Sequence, residues 1–478
     1  MNIKALHFDM KAVIPKLDHA LEMIDIFAAQ GFNTIILEFE DKFPFEATRG
    51  FHHPAAWSKD DFRSLAQHCK ERNIEIVPLM QSIGHLDYLL KYPAFQHLRD
   101  GGAMGTTYQW CLALEASYEL WQKMTDEILE IFPDTKIFHI GADECRMREP
   151  CQRCGENKLD FYIKRVARCV EYIQSKNMKA VIWDDVFRKY GIEQFKRLPS
   201  GVVCCVWLYR EIDWQYLEKI AGMDIELWGA SSLQANKNNY VMNPHEIKMD
   251  NVDDWGRIHP KYPRFTGHIA TLWGRNQCLS PYNTNLTQAV LMTAYSGKTL
   301  TDGLIADRKE FINSYGRDFF GVDLDYFTMI RYFNYEPAIA GKVLAELCEK
   351  ALYHRSIAEI LQAFNKMDEL LDYMDMCFSN NQASLASYRN GGSPPELTGN
   401  WADGVRIAAE RCEKLYNDLT PVITRYFYKN QWDELWEQHF AARLEQNQYW
   451  GKVIEEAKQK WQHNLQQAAG QTSENLQK

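Results

Sequence analysis

Along roughly its first three hundred residues the chain alternates two apolar patterns. Short, nearly continuous apolar runs recur eight times, at 4–9, 33–40, 74–80, 136–142, 179–185, 202–209, 223–231 and 267–274. Between them lie stretches with apolar residues at three- and four-residue steps, the period of a helix with one buried face. The stretch 17–31 ends on Gly31, a residue suited to a helix C-cap, and 58–73 opens on Ser58, a good N-cap. Uninterrupted apolar strands alternating with such helices predict a parallel sheet covered on both faces. Within the run at 202–209, Cys204 and Cys205 should then point to opposite faces. Eight units in about the usual ~250 residues or a little more predict a closed (β/α)8 (TIM) barrel. An open doubly wound sheet is the rival, but no GxGxxG follows the first run. The pattern opens at residue 3, which predicts no preceding domain.

Beyond about residue 320 the strand pattern stops. Segment 356–378 carries Ile357, Ile360, Leu361, Phe364, Met367, Leu371 and Met374 on one helical face. A loop rich in Asn, Gly, Ser and Pro is expected at 379–400, followed by long amphipathic helices around 402–428 and 431–462. The predicted organisation is a barrel over 1–318, a C-terminal all-α domain over 319–465 and a disordered polar tail over 466–478. Packing, or self-association as a homodimer, is the role expected of the helices.

The net charge is −10 with no Lys/Arg block, which argues against nucleic acid or an anionic membrane as partner. No apolar stretch of spanning length occurs, and the first residues, with Lys4 and Asp9, do not read as a signal peptide. Twelve cysteines, most of them single in apolar surroundings, read as reduced thiols of a cytoplasmic protein. Cys151-x-x-Cys154, six residues past Cys145, is half of a zinc-type spacing. No second pair follows, so a structural metal on Cys145, Cys151 and Cys154 is weighed but none is assigned, and no cofactor is expected.

In a barrel of this kind the residues just past the C-terminal ends of the strands face the active site. Those ends supply Asp9 and Lys11; Glu38, Glu40 and Asp41; Gln81 and His85; Asp143 and Glu144; Trp183, Asp184 and Asp185; Trp207 and Tyr209; Trp228; and Trp273 and Arg275. A single strand-end Trp is more often a plug at the rim, but here the last four strands all end near one. Aromatic walls with carboxylates and a few cations suit a sugar ring, whose CH face stacks while its hydroxyls bond to charge. Bland readings remain for several residues: His7 and His139 as buried strand histidines, Glu38, Glu40 and Asp41 as partners of Lys42 or Arg49, and Asp184-Asp185 as a helix cap. Two neighbouring acids, Asp143 and Glu144, cannot easily flank a glycosidic bond. They fit better if one is the acid and the other orients a nucleophile that belongs to the substrate.

The stretch His139-Ile-Gly-Ala-Asp143-Glu144 resembles the H-x-G-x-D-E signature of glycoside hydrolase family 20, the exo-acting β-N-acetylhexosaminidases. The likeness is nearest to the hexosaminidase D-like branch and is supported in order by 6–16, 37–46, 81–91, 181–185, 206–209 and 272–275. The resemblance implies removal of terminal GlcNAc or GalNAc with retention through an oxazolinium ion. It implies Glu144 as general acid/base, kept protonated by burial and the Asp143 charge, with Asp143 holding the acetamido N–H. Tyr209 would donate to the acetamido carbonyl, with Tyr240 and Tyr282 as substitutes, because the family's tyrosine follows strand seven. Trp183, Trp207 and Trp273 would form the pocket, supported by Asp9 and His85, with Glu38, Trp228 and Arg275 also binding sugar. Lys11 stands where many members carry an Arg, replacing a bidentate fork by a point charge. The competing readings are a metal-dependent amidohydrolase, which would want a His-x-His after the first strand where this chain has His7-Phe-Asp9, and a sugar-binding barrel without catalysis.

Overall fold

A computed structural model describes residues 2–11, 13–234, 245–275, 286–332, 336–390 and 401–476. Eight parallel strands close on themselves: β1 (Ile3–Asp9), β2 (Thr34–Glu38), β3 (Glu75–Leu79), β4 (Ile137–His139), β5 (Lys179–Trp183), β6 (Val203–Trp207), β7 (Glu226–Gln234) and β8 (Phe265–Leu272). The β1–β8 pairing, with Ala5 opposite Ile269, completes the barrel. The continuous apolar runs reflect burial on two sides. Outward residues such as Leu6, Phe8, Ile35 and Leu37 pack under the surrounding helices. Inward residues such as Ala5, Ile36, Val77, Val181, Val203 and Ile269 fill the barrel. Cys204 faces the helices and Cys205 the interior, as a two-residue period requires. The helix Lys59–Glu71 begins at Ser58 in a full capping box with Asp61.

β7 runs further than the apolar pattern indicates, because small polar residues continue it through Ser231, Ser232 and Gln234. Trp228 is therefore the third residue of its strand, well below the mouth. It is 1% exposed, packs in the interior cluster, and covers Gly267 so closely that a Cβ there would meet the indole at 2.8 Å. Trp228 packs as a barrel plug.

The C-terminal region is helical: Pro337–Lys350, Arg355–Arg389, Trp401–Tyr426, Lys429–Trp436 and Ala442–Leu476. Two expectations change here. The helix Arg355–Arg389 takes in 379–389, the first half of the expected loop, because Asn381, Ser384 and Leu385 are buried. The last helix continues through 466–476, where a disordered tail was expected, although the side chains at 462–468 are exposed. The helices grip the β1 loop: Lys16 N–H donates to Tyr426 O (2.7 Å), Ile14 N–H to Gln431 Oε1 (3.0 Å), and Pro15 bridges Phe427. Among the described residues no helix is long and apolar enough to cross a membrane.

Trp228→Ala should cost about 3–5 kcal/mol, the usual range for emptying a buried indole site. Trp207→Ala, at a partly open position, should cost less. Urea unfolding of both variants checks this, and equal losses would contradict the plug role.

Candidate active site

After the three residues of β4 the chain makes an unusual turn. Gly141, Ala142 and Glu144 have φ of 65°, 71° and 49°. Only glycine suits position 141, since its φ is left-handed and a Cβ would run into the Gln81 amide. The turn is pinned from both sides: Gly141 N–H donates to His139 Nδ1 (3.0 Å) and Tyr162 Oη–H donates to Ala142 O (2.7 Å). With Nδ1 accepting, the neutral His139 ring carries its proton on Nε2, and burial pushes its pKa down to about 3. Glu40 and His85 also take positive φ at the mouth, with values of 45° and 55°. Such backbone persists only where surrounding contacts hold it.

The turn sends two adjacent carboxylates in different directions. Asp143 goes inward and is 6% exposed, while the Glu144 side chain is 52% exposed. The expectation that burial keeps Glu144 protonated is therefore not met, because its left-handed backbone turns the side chain into the open mouth. His85 Nε2 lies 3.2 Å from Asp143 Oδ2 and 3.5 Å from Glu144 Oε2. Burial alone would lower the His85 pKa, but the Asp143 carboxylate outweighs it and raises it to about 9. Tyr108 Oη lies 2.9 Å from His85 Nε2 and donates to Glu144 Oε2 at 3.2 Å. Glu144 N–H donates to Asp185 Oδ2 (2.9 Å), and burial with the Asp143 charge pushes that carboxyl up to about 7. Asp143 Oδ1 is buried with no hydrogen-bond partner among the described residues.

Beside the acids lies an aromatic basket. Trp183 and Trp273 face each other with centroids 6.3 Å apart, Trp207 lies against Tyr209 at 5.1 Å, and Trp273 Nε1–H donates to Tyr209 Oη at 3.2 Å. Asp184, fully buried, accepts from Trp207 N–H and pairs with Arg188, whose guanidinium covers the Trp207 ring at 5.0 Å. A cleft of about 680 Å³ is lined by Glu144, Asp185, Trp207, Arg146, Arg148 and Lys189.

The floor of the basket is a buried ionic cluster. Lys11 Nζ lies 2.8 Å from Glu38, 3.2 Å from Asp9, 3.8 Å from Glu40 and 5.0 Å from the Trp273 ring centre. The Glu38 and Asp9 contacts are at ion-pair distance but lack hydrogen-bond alignment at the nitrogen. Glu38 also meets His7 Nε2 (3.0 Å) and accepts from Gln81 (3.3 Å). Burial would raise Glu38, yet Lys11 and His7 hold it well below the usual carboxylate range. Glu40 goes the other way, raised by burial and its acidic neighbours against the pull of Lys11. Asp9 ties the ends of β1 and β8 by accepting from Gly274 N–H at 2.9 Å. His7, Asp9 and Glu38 are close enough to resemble a metal triad. Lys11 already supplies the cation to both acids, which disfavours the amidohydrolase reading.

The structure thus brings together Asp9, Lys11, Glu38, His85, Asp143, Glu144, Trp183, Trp207, Tyr209 and Trp273. Trp228 stays below, and Arg275 turns aside: it is buried, with Nη2 3.7 Å from Glu434 of the C-terminal helices. Asp41 pairs with its neighbour Lys42 (2.7 Å). Tyr240 and Tyr282 lie outside the described residues. Cys145 separates from Cys151 and Cys154, its thiol facing Met147 Sδ at 3.9 Å. Tyr108 went unnoticed in the sequence, because it sits far along the β3 loop. Its one trace is Gly84, where a Cβ would meet the Tyr108 ring at 2.8 Å.

Residues 18–227 match the glycosyl hydrolase family 20 catalytic domain. The chain is 26% identical to hexosaminidase D of Bos taurus over 294 residues, covering 57% of this chain and 84% of that protein. It is 27% identical to hexosaminidase D of Homo sapiens over 297 residues, covering 57% of this chain and 60% of that one. The structure of a beta-N-acetylhexosaminidase from Bacteroides fragilis superimposes with a TM-score of 0.52 at 17% identity, over 66% of this chain and 69% of that one. That last likeness is one of fold. The stretch that matches the family 20 catalytic domain contains Asp143 and Glu144.

His85 titrates near 9 when folded, against an ordinary 6.5. Its ion pair with Asp143 should stabilise the fold fully below pH 6.5 and fade as the pH rises through 9, by about 3 kcal/mol in total. The Tm gap between wild type and His85→Gln should shrink from about pH 6 to about pH 9.5. A gap that stays constant would mean that the ring is neutral throughout.

Proposed function

We propose that this family 20 chain is an exo-acting, retaining β-N-acetylhexosaminidase that removes terminal GlcNAc or GalNAc by substrate-assisted catalysis. One observation carries the reading: Asp143 Oδ1 is a buried acceptor without a partner, while its neighbour Glu144 stands half-exposed beside a cleft. A buried carboxylate oxygen in that state suits a ligand N–H, since an unmatched buried acceptor is costly. A half-exposed carboxyl at the cleft suits a leaving-group oxygen.

In the first step the Glu144 carboxyl gives its proton to the glycosidic oxygen as the C1–O bond breaks. The acetamido carbonyl oxygen forms the new bond to C1. The resulting oxazolinium carries positive charge at its N–H, which the Asp143 carboxylate accepts and stabilises. Because His85 lies within ion-pair reach of both acids, it holds the Asp143 carboxylate in place. Tyr209 Oη accepts from Trp273, leaving its own proton to donate to the acetamido oxygen. In the second step the Glu144 carboxylate takes a proton from water, whose oxygen bonds to C1 as the acetamido oxygen departs. Two displacements on one face and then the other give net retention. Lys11 and the buried carboxylates around it would bond to the ring hydroxyls, and the three tryptophans would enclose the ring and its methyl group. The enzyme is placed in the cytoplasm, a reading that the free thiols of its described cysteines support.

Glu144→Gln should lower kcat/KM on an unactivated GlcNAc disaccharide by about 10²–10⁴, the usual worth of a general acid, and much less on a nitrophenyl glycoside. Asp143→Asn should lower both alike. Equal losses for both leaving groups in Glu144→Gln would remove its acid role. A wild-type protein that binds a thiazoline analogue but releases no sugar would instead support the binding-only reading.

A further inference from the structure

We propose that a structural divalent metal ion, zinc by the chemistry of its donors, joins the loops after β3 and β4 through Cys111, Cys151, Cys154 and Asp100. The four ligand atoms lie within 4.8 Å of one another, and all four residues are buried. Cys111 Sγ is 3.7 Å from Cys151 Sγ and 3.9 Å from Cys154 Sγ. Those spacings match the edge of a tetrahedron with Zn–S bonds of ~2.3 Å, which is about 3.8 Å. Packed thiols alone could approach as closely, so the fourth corner decides.

Asp100 is 2% exposed, and its Oδ1 has no hydrogen-bond partner among the described residues. Its Oδ2 is engaged separately, by Gln109 Nε2 at 2.6 Å and by the Lys158 ammonium. A buried carboxylate with one oxygen bare, in a residue that clusters with three thiols, is unfavourable unless a cation meets it. Zinc accepts this mixed set, taking thiolate and carboxylate together, and Lys158 offsets the excess negative charge on the Asp100 side. The local backbone suits a metal knuckle: Gly155 has φ of 55° and its N–H closes on Cys151 O at 2.8 Å, drawing the CxxC pair into a tight loop. Cys145, the third cysteine that spacing suggested, is not a ligand, whereas Cys111, forty residues upstream of Cys151, is.

The clip sits directly behind the acids. Gln109 links Asp100 to the β4 loop by accepting from Arg146 N–H (2.8 Å), and Arg146 covers the Tyr108 ring at 4.0 Å. Tyr108 in turn contacts His85 and Glu144. The metal would therefore act as a positioning device, fixing two long loops whose tips must meet across Glu144.

The test is metal content of the purified full chain, a reading independent of any hexosaminidase activity. Elemental mass spectrometry should find about one zinc per chain in wild type and in Cys145→Ser. Cys111→Ser and Cys151→Ser should each fall below about a tenth of that. Asp100→Asn, which keeps the thiolates, should weaken zinc binding by about 10–100-fold. Should the cysteine variants fail to fold, a mercurial thiol reagent added to wild type should release one equivalent of zinc, seen with a colorimetric indicator. Cobalt(II) in place of zinc should give thiolate charge-transfer bands and a tetrahedral visible spectrum. Three results would each overturn the proposal: wild type that neither contains zinc nor takes up zinc or cobalt, full zinc retained in Cys111→Ser, or a native disulfide between Cys111 and Cys151.

Discussion

Everything at the mouth of the barrel depends on one left-handed turn. A regular strand end would project neighbouring side chains to opposite faces, sending one acid in and the other under the helices. The backbone from Gly141 to Glu144 instead keeps both on the barrel's open side at different depths. Asp143 lies in a dry place where it must be partnered, and Glu144 lies where solvent or a ligand reaches it. The turn is strained, and its strain is balanced by contacts from His139, Tyr162 and Asp185. None of these three bonds involves a substrate, so the arrangement exists before anything binds.

Two buried cations make the surrounding crowd of carboxylates tolerable. Lys11 serves Asp9, Glu38 and Glu40 on one side, and His85 serves Asp143 and Glu144 on the other. The consequence is an uneven distribution of protons. Glu38 is held ionised, whereas Glu40 and Asp185 are pushed toward their neutral forms by burial and by like charge. Environment, more than residue type, sets which group gives and which accepts. Lys11 puts a compact charge at the centre of three acids, at 2.8 Å from Glu38, 3.2 Å from Asp9 and 3.8 Å from Glu40.

How much of this was legible along the chain follows from how each feature is encoded. The eight strands were readable because burial on two faces leaves continuous apolar runs, and the acid pair because it closes one of them. Trp228 was misplaced for the same reason. β7 continues through Ser232, Leu233 and Gln234, past the end of the run at 231, so Trp228 lies further from the strand end than the run indicates. Depth and direction were also beyond reach: the positive φ of Glu144 contradicts the burial expected of it, and Arg275 turns to a helix more than 150 residues away. Tyr108 and Cys111 come from a loop with no periodicity, and only the fold brings them to Glu144 and to the CxxC pair.

Glu434 shows where the barrel and the helices meet in function as well as space. Its carboxylate takes Arg275, two residues past Trp273, and His53 in the loop after β2. Gln431, on the same helix, holds the chain just past Lys11. The helical region is thus a strap across the first and last strands, the seam where a barrel must be kept shut. The contacts of Glu434 and Gln431 with the barrel loops join the helices to the barrel. The two parts should melt in one cooperative transition, and the barrel cut free of its strap would lose the walls nearest Lys11 and Trp273 before it lost its strands.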